Sequence, residues 1–326
     1  MNTPSGAGPA IQGLRDHIRR HIVGQDRLVD ALLIALLADG HLLVEGAPGL
    51  AKTRAIKVLG DGIDASFHRV QFTPDLLPAD LTGTEVYRPQ DATFRFQPGP
   101  LFHNLLLADE INRAPAKVQS ALLEAMAERQ ITIGRETYPL PELFLVMATQ
   151  NPIEQEGTYP LPEAQLDRFL LHVRIDYPGA DDEHRILQLA RGEARDGLLH
   201  ARPATERLPQ SAITDARRQV LDQYLAPNLE QYLLQIVLET RNPGAYGQDL
   251  GRWLDYGASP RASIALDRCA RAVAWLAGRD YVSPEDVQSM AAEVLRHRLV
   301  LSYEAEAAGV TTDRVVREIV ARVAVP

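Results

Sequence analysis

The chain contains one cysteine among its 326 residues, Cys269, so no disulfide bond can form within it. Such sparse cysteine usage is typical of a reducing compartment, and we expect a cytoplasmic protein. Long apolar runs are also missing. The longest, Leu32 to Ala38, is far shorter than the roughly 20 residues of a membrane-spanning helix, so no membrane insertion is expected. Residues 1–10 lack the layout of a signal peptide and are rich in glycine and proline, which predicts a disordered tail.

Basic side chains are outnumbered as well. Lysine and arginine total 34 against 43 aspartates and glutamates, which gives a net charge of −9. A surface that neutralises nucleic-acid phosphates is normally basic, so we expect no nucleic-acid partner. The histidines are scattered without the spacing of a metal-ligand set. What remains is an ordinary globular composition with 45% hydrophobic residues, in a chain long enough for two domains.

The clearest motif is a short apolar run, Leu42–Glu45, followed by a glycine-containing loop and the pair Lys52-Thr53. The loop reads Gly46-Ala47-Pro48-Gly49-Leu50-Ala51, and helical spacing follows it. Strand, loop, Lys-Thr and helix is the layout of a phosphate-binding loop, in which backbone N–H groups and the helix dipole converge on one anion. We expect it to bind ATP, with Lys52 at the β- and γ-phosphates and the Thr53 hydroxyl on Mg²⁺. An ordinary strand-to-helix turn is the alternative.

Ala51 departs from the usual pattern, which has glycine immediately before the lysine. If this position requires a positive φ, alanine costs energy there. If it already belongs to the helix, alanine is the better helix former. We prefer the second interpretation.

A second motif is the apolar run Leu105–Ala108, which ends in Asp109 and Glu110. Acids at the carboxyl end of a buried parallel strand face the crevice where α/β sheets bind ligands. We expect Asp109 to hold the Mg²⁺ shell beside Thr53, and Glu110 to polarise a water for attack on the γ-phosphate. Taken alone, the motif could also be a solvated acidic turn.

Polar residues with a possible role in phosphoryl transfer lie further along the chain. Asn151 follows the next apolar run and could orient the attacking water, although Asn-Pro is also a common turn. Arg113 and Arg168 flank predicted elements, and Arg261 lies in a first helical turn, where a cation opposes the helix dipole. Phosphoryl transfer relies on positioning and charge neutralisation, which arginine can supply. For each arginine an ordinary ion pair remains the alternative.

The fold class follows from the order of the elements. Short apolar runs alternate with helical patterns through residue 178, which predicts a five-stranded parallel sheet sandwiched by helices over residues 11–178. Two stretches, Thr82 to Gln97 and Gln130 to Pro139, alternate like inserted hairpins. Residues 179–326 are predicted to form a separate, all-α domain, with N-caps at Ser259 and Ser283. The predicted strands are Leu42–Glu45, Phe67–Gln71, Leu105–Ala108, Leu143–Ala148 and Leu170–Ile175.

Together these motifs resemble the MoxR family of AAA+ ATPases over roughly residues 20 to 310. The phrase from Ala148 to Phe169 is the most specific of them. The matching phrases are Ile22-Val23-Gly24-Gln25, Gly46–Thr53, Gln71–Pro78, Leu107–Pro115, Ala148–Phe169 and Ser259-Pro260-Arg261-Ala262.

The resemblance implies an AAA+ P-loop core followed by a helical lid, and it implies roles for several residues. Val23 and Gly24 would line the adenine site, and Asp109 with Glu110 would be the Walker B pair. Asn151 would be the sensor 1 residue. The two arginines that complete the site would be Arg168, a finger reaching the nucleotide of a neighbouring subunit, and Arg261, the sensor 2 residue of the lid.

Members of this family usually form hexameric rings and act as chaperone-like remodellers of other proteins. Many work with a partner that carries a von Willebrand factor A domain, often to mature metal-dependent enzymes or complexes. The resemblance therefore implies a homo-oligomeric ATPase with a partner and a client protein. Two alternatives stay open: a ring ATPase that translocates on nucleic acid, and a switch that assembles with ATP without turning it over.

Overall fold

The computed structural model describes residues 6–90, 92–153, 157–199 and 207–326. Its strands are β1 (Leu42–Glu45), β2 (Phe67–Gln71), β3 (Gly83–Arg88), β4 (Thr93–Pro98), β5 (Leu105–Asp109), β6 (Gln130–Ile133), β7 (Glu136–Pro139), β8 (Leu145–Gln150), β9 (Leu171–Arg174), β10 (Leu254–Tyr256) and β11 (Val300–Leu301).

Helices occupy most of the rest of the described chain. They are α1 (Ala7–His21), α2 (Asp26–Leu37), α3 (Lys52–Gly62), α4 (Pro78–Thr82), α5 (Ala116–Glu128), α6 (Glu163–Leu166), α7 (Ala180–Leu199), α8 (Gln210–Leu221), α9 (Pro227–Glu239), α10 (Gln248–Trp253), α11 (Pro260–Leu276), α12 (Pro284–Leu295), α13 (Tyr303–Ala307) and α14 (Thr312–Arg322). Within the described ranges, none of these helices is both long and apolar enough to cross a membrane.

The main sheet has five strands in the order β2-β5-β8-β1-β9, which confirms the predicted fold class. The pairs β2–β5, β5–β8 and β8–β1 are parallel. Every residue of β5 is buried, as expected for a strand covered on both faces. Because neighbouring parallel strands end at the same edge, the segments that follow β1, β5 and β8 meet there.

Both predicted hairpins form. Strand β3 pairs with β4, and β6 pairs with β7, each antiparallel. The hairpins also contact each other, since the Phe96 ring of β4 stacks on the Tyr138 ring of β7 with 4.2 Å between centroids. The first hairpin exposes Tyr87 and Phe94 to solvent. Exposed apolar side chains on an inserted hairpin are a frequent means of contacting partners.

The chain divides into two compact units. The first takes in the described residues of Met1–Leu33, His41–Leu161 and Val173–Ile213, and the second those of Ile34–Gly40, Pro162–His172 and Thr214–Pro326. This division differs from the single boundary predicted near residue 178, because α7 groups with the first unit while residues 34–40 and 162–172 group with the second. One reason is an ion pair between Arg54 of α3 and Glu193 of α7.

Local signals at helix starts were informative in the second unit but not at the N-terminus. The Ser259 hydroxyl caps α11 by accepting from the Arg261 N–H at 3.2 Å, and Ser283 forms a capping box at α12. By contrast, the predicted disordered tail over residues 1–10 is wrong for residues 7–10, which lie in α1. The helix buries Ala7 and Ile11, an apolar spacing that the glycine and proline content obscured. Residues 1–5 lie outside the described part of the chain.

Candidate functional site

The loop between β1 and α3 turns tightly at the carboxyl end of β1. Its tip, Pro48 and Gly49, is exposed, and Gly49 has a φ of +84° with open space where a side chain would stand. Gly46 serves a different purpose. A side chain there would overlap that of Ile175 and lie 2.8 Å from the Ile175 carbonyl oxygen, so glycine allows the close approach of these two segments.

Ala51 has a φ of +58° and a ψ of +17°, the left-handed conformation, and it is the N-cap of α3. The interpretation of Ala51 as an ordinary first helical residue is therefore wrong. The chain requires a positive φ at this position and meets it with alanine, at a cost of about 1–2 kcal/mol relative to a right-handed conformation. Strain of this kind is concentrated at ligand-binding turns.

Lys52 opens α3 with its ammonium folded back over the loop. The Nζ atom donates to the Gly46 carbonyl oxygen at 2.6 Å and reaches the Gln150 carbonyl oxygen at 3.5 Å. Burial lowers the pKa of Lys52, while the charges of Asp109 and Glu110 raise it. A partly desolvated ammonium gains more from an anionic ligand than an exposed one, because water competes less for its charge.

Asp109 and Glu110 are held together by the hydroxyl of Thr149. The Thr149 Oγ1 donates to Asp109 Oδ1 at 2.6 Å and accepts from the Glu110 backbone N–H at 2.9 Å. Thr149 is fully buried, and Glu110, like Ala51, is left-handed, with a φ of +57°. The hydroxyl at the end of β8 thus fixes both acids at the end of β5. Sequence reasoning assigned no role to Thr149, although it lies only two positions before Asn151.

Strand β2 adds a polar edge that the sequence analysis also missed. Arg69 donates to Asp109 Oδ2 from Nε at 3.1 Å and from Nη2 at 2.6 Å. Gln71 donates its amide N–H to Glu110 Oε2 at 2.8 Å. Alternation places both side chains on the same face of β2, and the parallel register sets Gln71 opposite Asp109. The sequence signal that could have identified Arg69 and Gln71 is a pair of polar residues at positions i and i+2 at the end of a predicted strand.

Arg113 forms an ion pair with Glu110, with 2.9 Å between Nε and Oε2. The ion-pair alternative for Arg113 is therefore present in the structure.

Asn151 is buried at the end of β8, where its Oδ1 accepts from the Ile153 N–H at 3.2 Å. This local bond is the turn expected of Asn-Pro. Residues 154–156 of the resemblance phrase lie outside the described residues.

Val23 and Gly24 lie in the segment between α1 and α2, which packs on residues 176–182 of the first unit. Gly24 has a φ of +73°, and a side chain there would lie 2.9 Å from Pro178 Cβ. The neighbouring Gln25 is buried and donates to the Asp176 carbonyl oxygen at 2.9 Å. Val23 and Gly24 keep partial exposure, so a ligand can still reach them.

The remaining two site candidates belong to the second unit. Asp167, the neighbour of Arg168 in the chain, lies 3.5 Å from the Arg261 guanidinium and accepts from the Ser259 hydroxyl at 2.8 Å. The structure thus joins the Arg168 segment to the start of α11, and it groups the phosphate loop, both acids and Asn151 in the first unit.

The edge of the main sheet presents three kinds of group to a ligand: the Lys52 ammonium, hard oxygen atoms, and backbone N–H groups of the loop. Within the described ranges, no cluster of three or more histidine, cysteine, aspartate or glutamate side chains could hold a metal ion by itself. Mg²⁺ that is held with a nucleotide usually takes one or two protein carboxylates, with phosphates and waters as its other ligands. The arrangement can bind a triphosphate and activate water beside it.

Comparison with known proteins agrees with this arrangement. The family described as "ATPase family associated with various cellular activities (AAA)" matches residues 41–171, and the AAA lid domain matches residues 252–319. The chain is 46% identical to Chaperone MoxR1 of Mycobacterium tuberculosis over 310 residues, covering 95% of this chain and 80% of that protein. It is 34% identical to Protein MoxR of Paracoccus denitrificans, with 86% of each covered.

A crystal structure from Cytophaga hutchinsonii extends the likeness to three dimensions. It superposes with a TM-score of 0.90 at 42% identity, covering 98% of this chain and 96% of the other. Identity of this level over nearly full length, together with the AAA and lid domains, means that the chain belongs to the MoxR family of chaperone-like AAA+ ATPases.

Proposed function

We propose that this protein hydrolyses ATP to ADP and phosphate in a homo-oligomeric ring and uses the reaction to remodel or activate a partner protein. The observation that carries the proposal is the grouping of Lys52, Asp109 and Glu110 at one edge of the main sheet, with Thr149 locking the two acids. A turn with no role in binding has no use for a left-handed alanine, a half-buried ammonium and two adjacent carboxylates, one of them buried, together.

Nucleotide binding is assigned to the phosphate loop and to the segment before α2. Backbone N–H groups of residues 46–51 and the start of α3 receive the phosphates, and Lys52 neutralises the β- and γ-phosphates. Its ammonium exchanges the Gly46 carbonyl for the phosphate oxygens when the nucleotide enters. Val23 and Gly24 contact the adenine.

The Thr53 hydroxyl and the Asp109 carboxylate fit Mg²⁺, because both offer the hard oxygen ligands that this ion prefers. A Mg²⁺ ion held by these two groups would supply positive charge to neutralise the negative charge that develops during phosphoryl transfer. Arg69 already neutralises Asp109 through two hydrogen bonds. Asp109 must therefore exchange one or both of these bonds to act as a ligand.

Glu110 orients and polarises the attacking water, and Asn151 holds that water or the γ-phosphate. The Glu110 carboxylate now accepts from Gln71 and pairs with Arg113. Both contacts are made to the Oε2 atom of Glu110. Gln71 and Arg113 therefore hold the carboxylate that would face the water, and they bear on how readily hydrolysis begins.

Arg168 acts across the subunit boundary and Arg261 acts as the sensor 2 residue. A finger that comes from the neighbour leaves each isolated subunit with an incomplete site, so hydrolysis requires a ring, for which we propose six subunits in the cytoplasm. The name of the relative Chaperone MoxR1 supports a chaperone-like task. A von Willebrand factor A domain protein is proposed as the partner through which a client enzyme or complex is reached.

The test measures the ATPase rate per subunit against protein concentration with Mg²⁺-ATP. The rate should rise steeply as rings assemble, and Glu110→Gln should bind ATP yet hydrolyse it at least about 100-fold more slowly. Glu128→Gln, which makes the same change on an exposed helix end, should retain the full rate.

Arg168→Ala should retain nucleotide affinity, measured with a fluorescent analogue, and lose about 10³-fold or more in rate. Arg218→Ala, which removes an exposed arginine paired with Asp215, is the matched control. Rapid hydrolysis by Glu110→Gln, or an equal loss of binding and turnover in Arg168→Ala, would contradict the proposed roles.

A further inference from the structure

Arg298, in the short segment between α12 and β11, makes several hydrogen bonds with the segment that carries Arg168. Its guanidinium donates to the carbonyl oxygens of Asp167 at 3.3 Å, Phe169 at 2.7 Å and Leu170 at 3.4 Å. It also donates to Asp167 Oδ1 at 2.8 Å. The guanidinium therefore holds the backbone on both sides of Arg168 by hydrogen bonds.

Burial makes this contact costly to maintain. The Arg298 side chain is 2% exposed, so its charge is removed almost completely from water. A buried ion pair is weak evidence for stability, because apolar side chains of similar volume often serve as well. What apolar packing cannot provide is a planar fork of N–H donors that fixes several carbonyl groups at set angles. Geometry is therefore the property that this buried arginine contributes.

Asp167 connects Arg298 to the start of α11. While Oδ1 accepts from Arg298, Oδ2 accepts from the Ser259 hydroxyl at 2.8 Å and lies 3.5 Å from the Arg261 guanidinium. Both oxygens of this carboxylate are thus engaged, on opposite sides. Because Asp167 and Arg168 are consecutive, the direction in which the Arg168 side chain leaves the backbone depends on this double attachment.

We infer that Arg298 and Asp167 are positioning residues that set the direction of Arg168, so that the finger meets the nucleotide of the neighbouring subunit. The inference rests on the proposed function, which assigns Arg168 to the neighbour's site. The Arg168 side chain has many rotatable bonds, and in this role it must reach across a subunit boundary. Fixing its backbone through Arg298 and Asp167 restricts the directions that the side chain can take. Neither residue contacts the nucleotide in this role.

The first test is Arg298→Lys, which keeps the charge and loses the planar fork. We expect kcat to fall about 10–100-fold while KM and nucleotide affinity change little, since small misplacements of a catalytic group cost this much. Asp167→Asn, which keeps the shape and loses the charge, should show the same split in milder form. Thermal unfolding and ring assembly are measured for both.

The matched control is Arg279→Lys. Arg279 also pairs with a buried carboxylate of the second unit, donating to Asp286 Oδ2 at 2.7 Å, and it also reaches a backbone carbonyl, that of Tyr281 at 3.1 Å. This variant should lose comparable stability and keep its kcat. Equal loss of kcat in Arg279→Lys would mean that destabilisation alone explains the effect, and would overturn the inference.

Rings assembled from two variants distinguish a misplaced Arg168 from any other cause of lost ATPase activity. A subunit with Arg298→Lys keeps Glu110, and a subunit with Glu110→Gln keeps its supported finger. An equimolar mixture should regain about a quarter of the wild-type rate, the share of random interfaces that combine the two intact halves. The reference is the mixture of Arg168→Ala with Glu110→Gln.

Recovery in both mixtures supports the inference. Recovery with Arg168→Ala but not with Arg298→Lys overturns it and leaves the proposed function intact. If neither mixture recovers, the finger does not act across subunits, and the proposed function and the inference fall together.

Discussion

At the residue scale, Ala51 shows how a backbone requirement is met by a residue that does not favour it. The left-handed conformation costs an alanine about 1–2 kcal/mol. Glycine removes that strain but loses about 0.5–1 kcal/mol more entropy on folding. Relief of strain and the larger loss of backbone entropy oppose each other in Ala51→Gly, and the relief of strain is the larger effect.

We therefore predict that Ala51→Gly raises the free energy of unfolding by up to about 1 kcal/mol, measured by urea denaturation. Ala47→Gly is the control. Ala47 is buried in the same loop without a positive φ, so this variant should be destabilised. A destabilisation of Ala51→Gly equal to that of the control would show that the strain is not released.

At the element scale, the site depends on how the ends of β5 and β8 are fastened together. One buried hydroxyl, that of Thr149, spans the two strand ends by donating to Asp109 and accepting from the Glu110 N–H. Hydrophobic packing holds the strands in register, but it does not orient the carboxylates that follow them. That orientation depends on this polar contact.

Thr149→Val keeps the shape and deletes the hydroxyl. It should cost about 1–3 kcal/mol of stability, because a buried carboxylate and an N–H group lose their partner. We also expect at least about a tenfold loss of kcat, because Glu110 is no longer held in its left-handed conformation. Steady-state ATPase assays and urea unfolding measure the two effects.

Thr149→Ser should restore most of both properties, since it returns the hydroxyl. Thr82→Val removes a part-buried hydroxyl elsewhere in the first unit, one that donates to the Pro78 carbonyl oxygen, and should leave kcat unchanged. Failure of serine to rescue turnover would assign the effect to packing rather than to the hydrogen bonds.

At the scale of the whole molecule, buried titratable groups link stability to pH. His297 is buried, and desolvation together with the charges of Arg298, His172 and Arg296 lowers its pKa well below the ordinary value. The folded chain therefore keeps His297 neutral where the unfolded chain protonates it. Between the two pKa values the unfolded state binds more protons, so stability rises with pH in that range and this contribution is flat above it.

We predict that lowering the pH below about 6.5 reduces the free energy of unfolding by roughly 1 kcal/mol per pH unit through His297. His297→Gln should have a shallower dependence in that range, whatever its stability at neutral pH. His184→Gln, at an exposed position, should keep the wild-type slope. The measurement is urea unfolding at a series of pH values, and identical slopes in all three proteins would rule out the linkage.

The sequence by itself determined the elements and the order in which they come. The sheet strands matched their predicted bounds to within two residues, because a strand buried on both faces must be a short apolar run between turn signals. The phosphate loop and the acids after β5 could be read for a related reason: each is a local motif attached to the end of such a run. Periodicity and turn chemistry act over a few residues, and the sequence displays them directly.

Only the tertiary structure decided which distant polar side chains meet. The contact of Arg69 with Asp109 and the bridge through Thr149 join residues of neighbouring strands that lie 39 or 40 positions apart. The hydrogen bonds from Arg298 to the Arg168 segment join residues that lie 128 to 131 positions apart in the sequence. Apolar patterning fixes which faces are buried, and it leaves open which buried polar groups find one another. That choice follows from the register and packing of the complete fold.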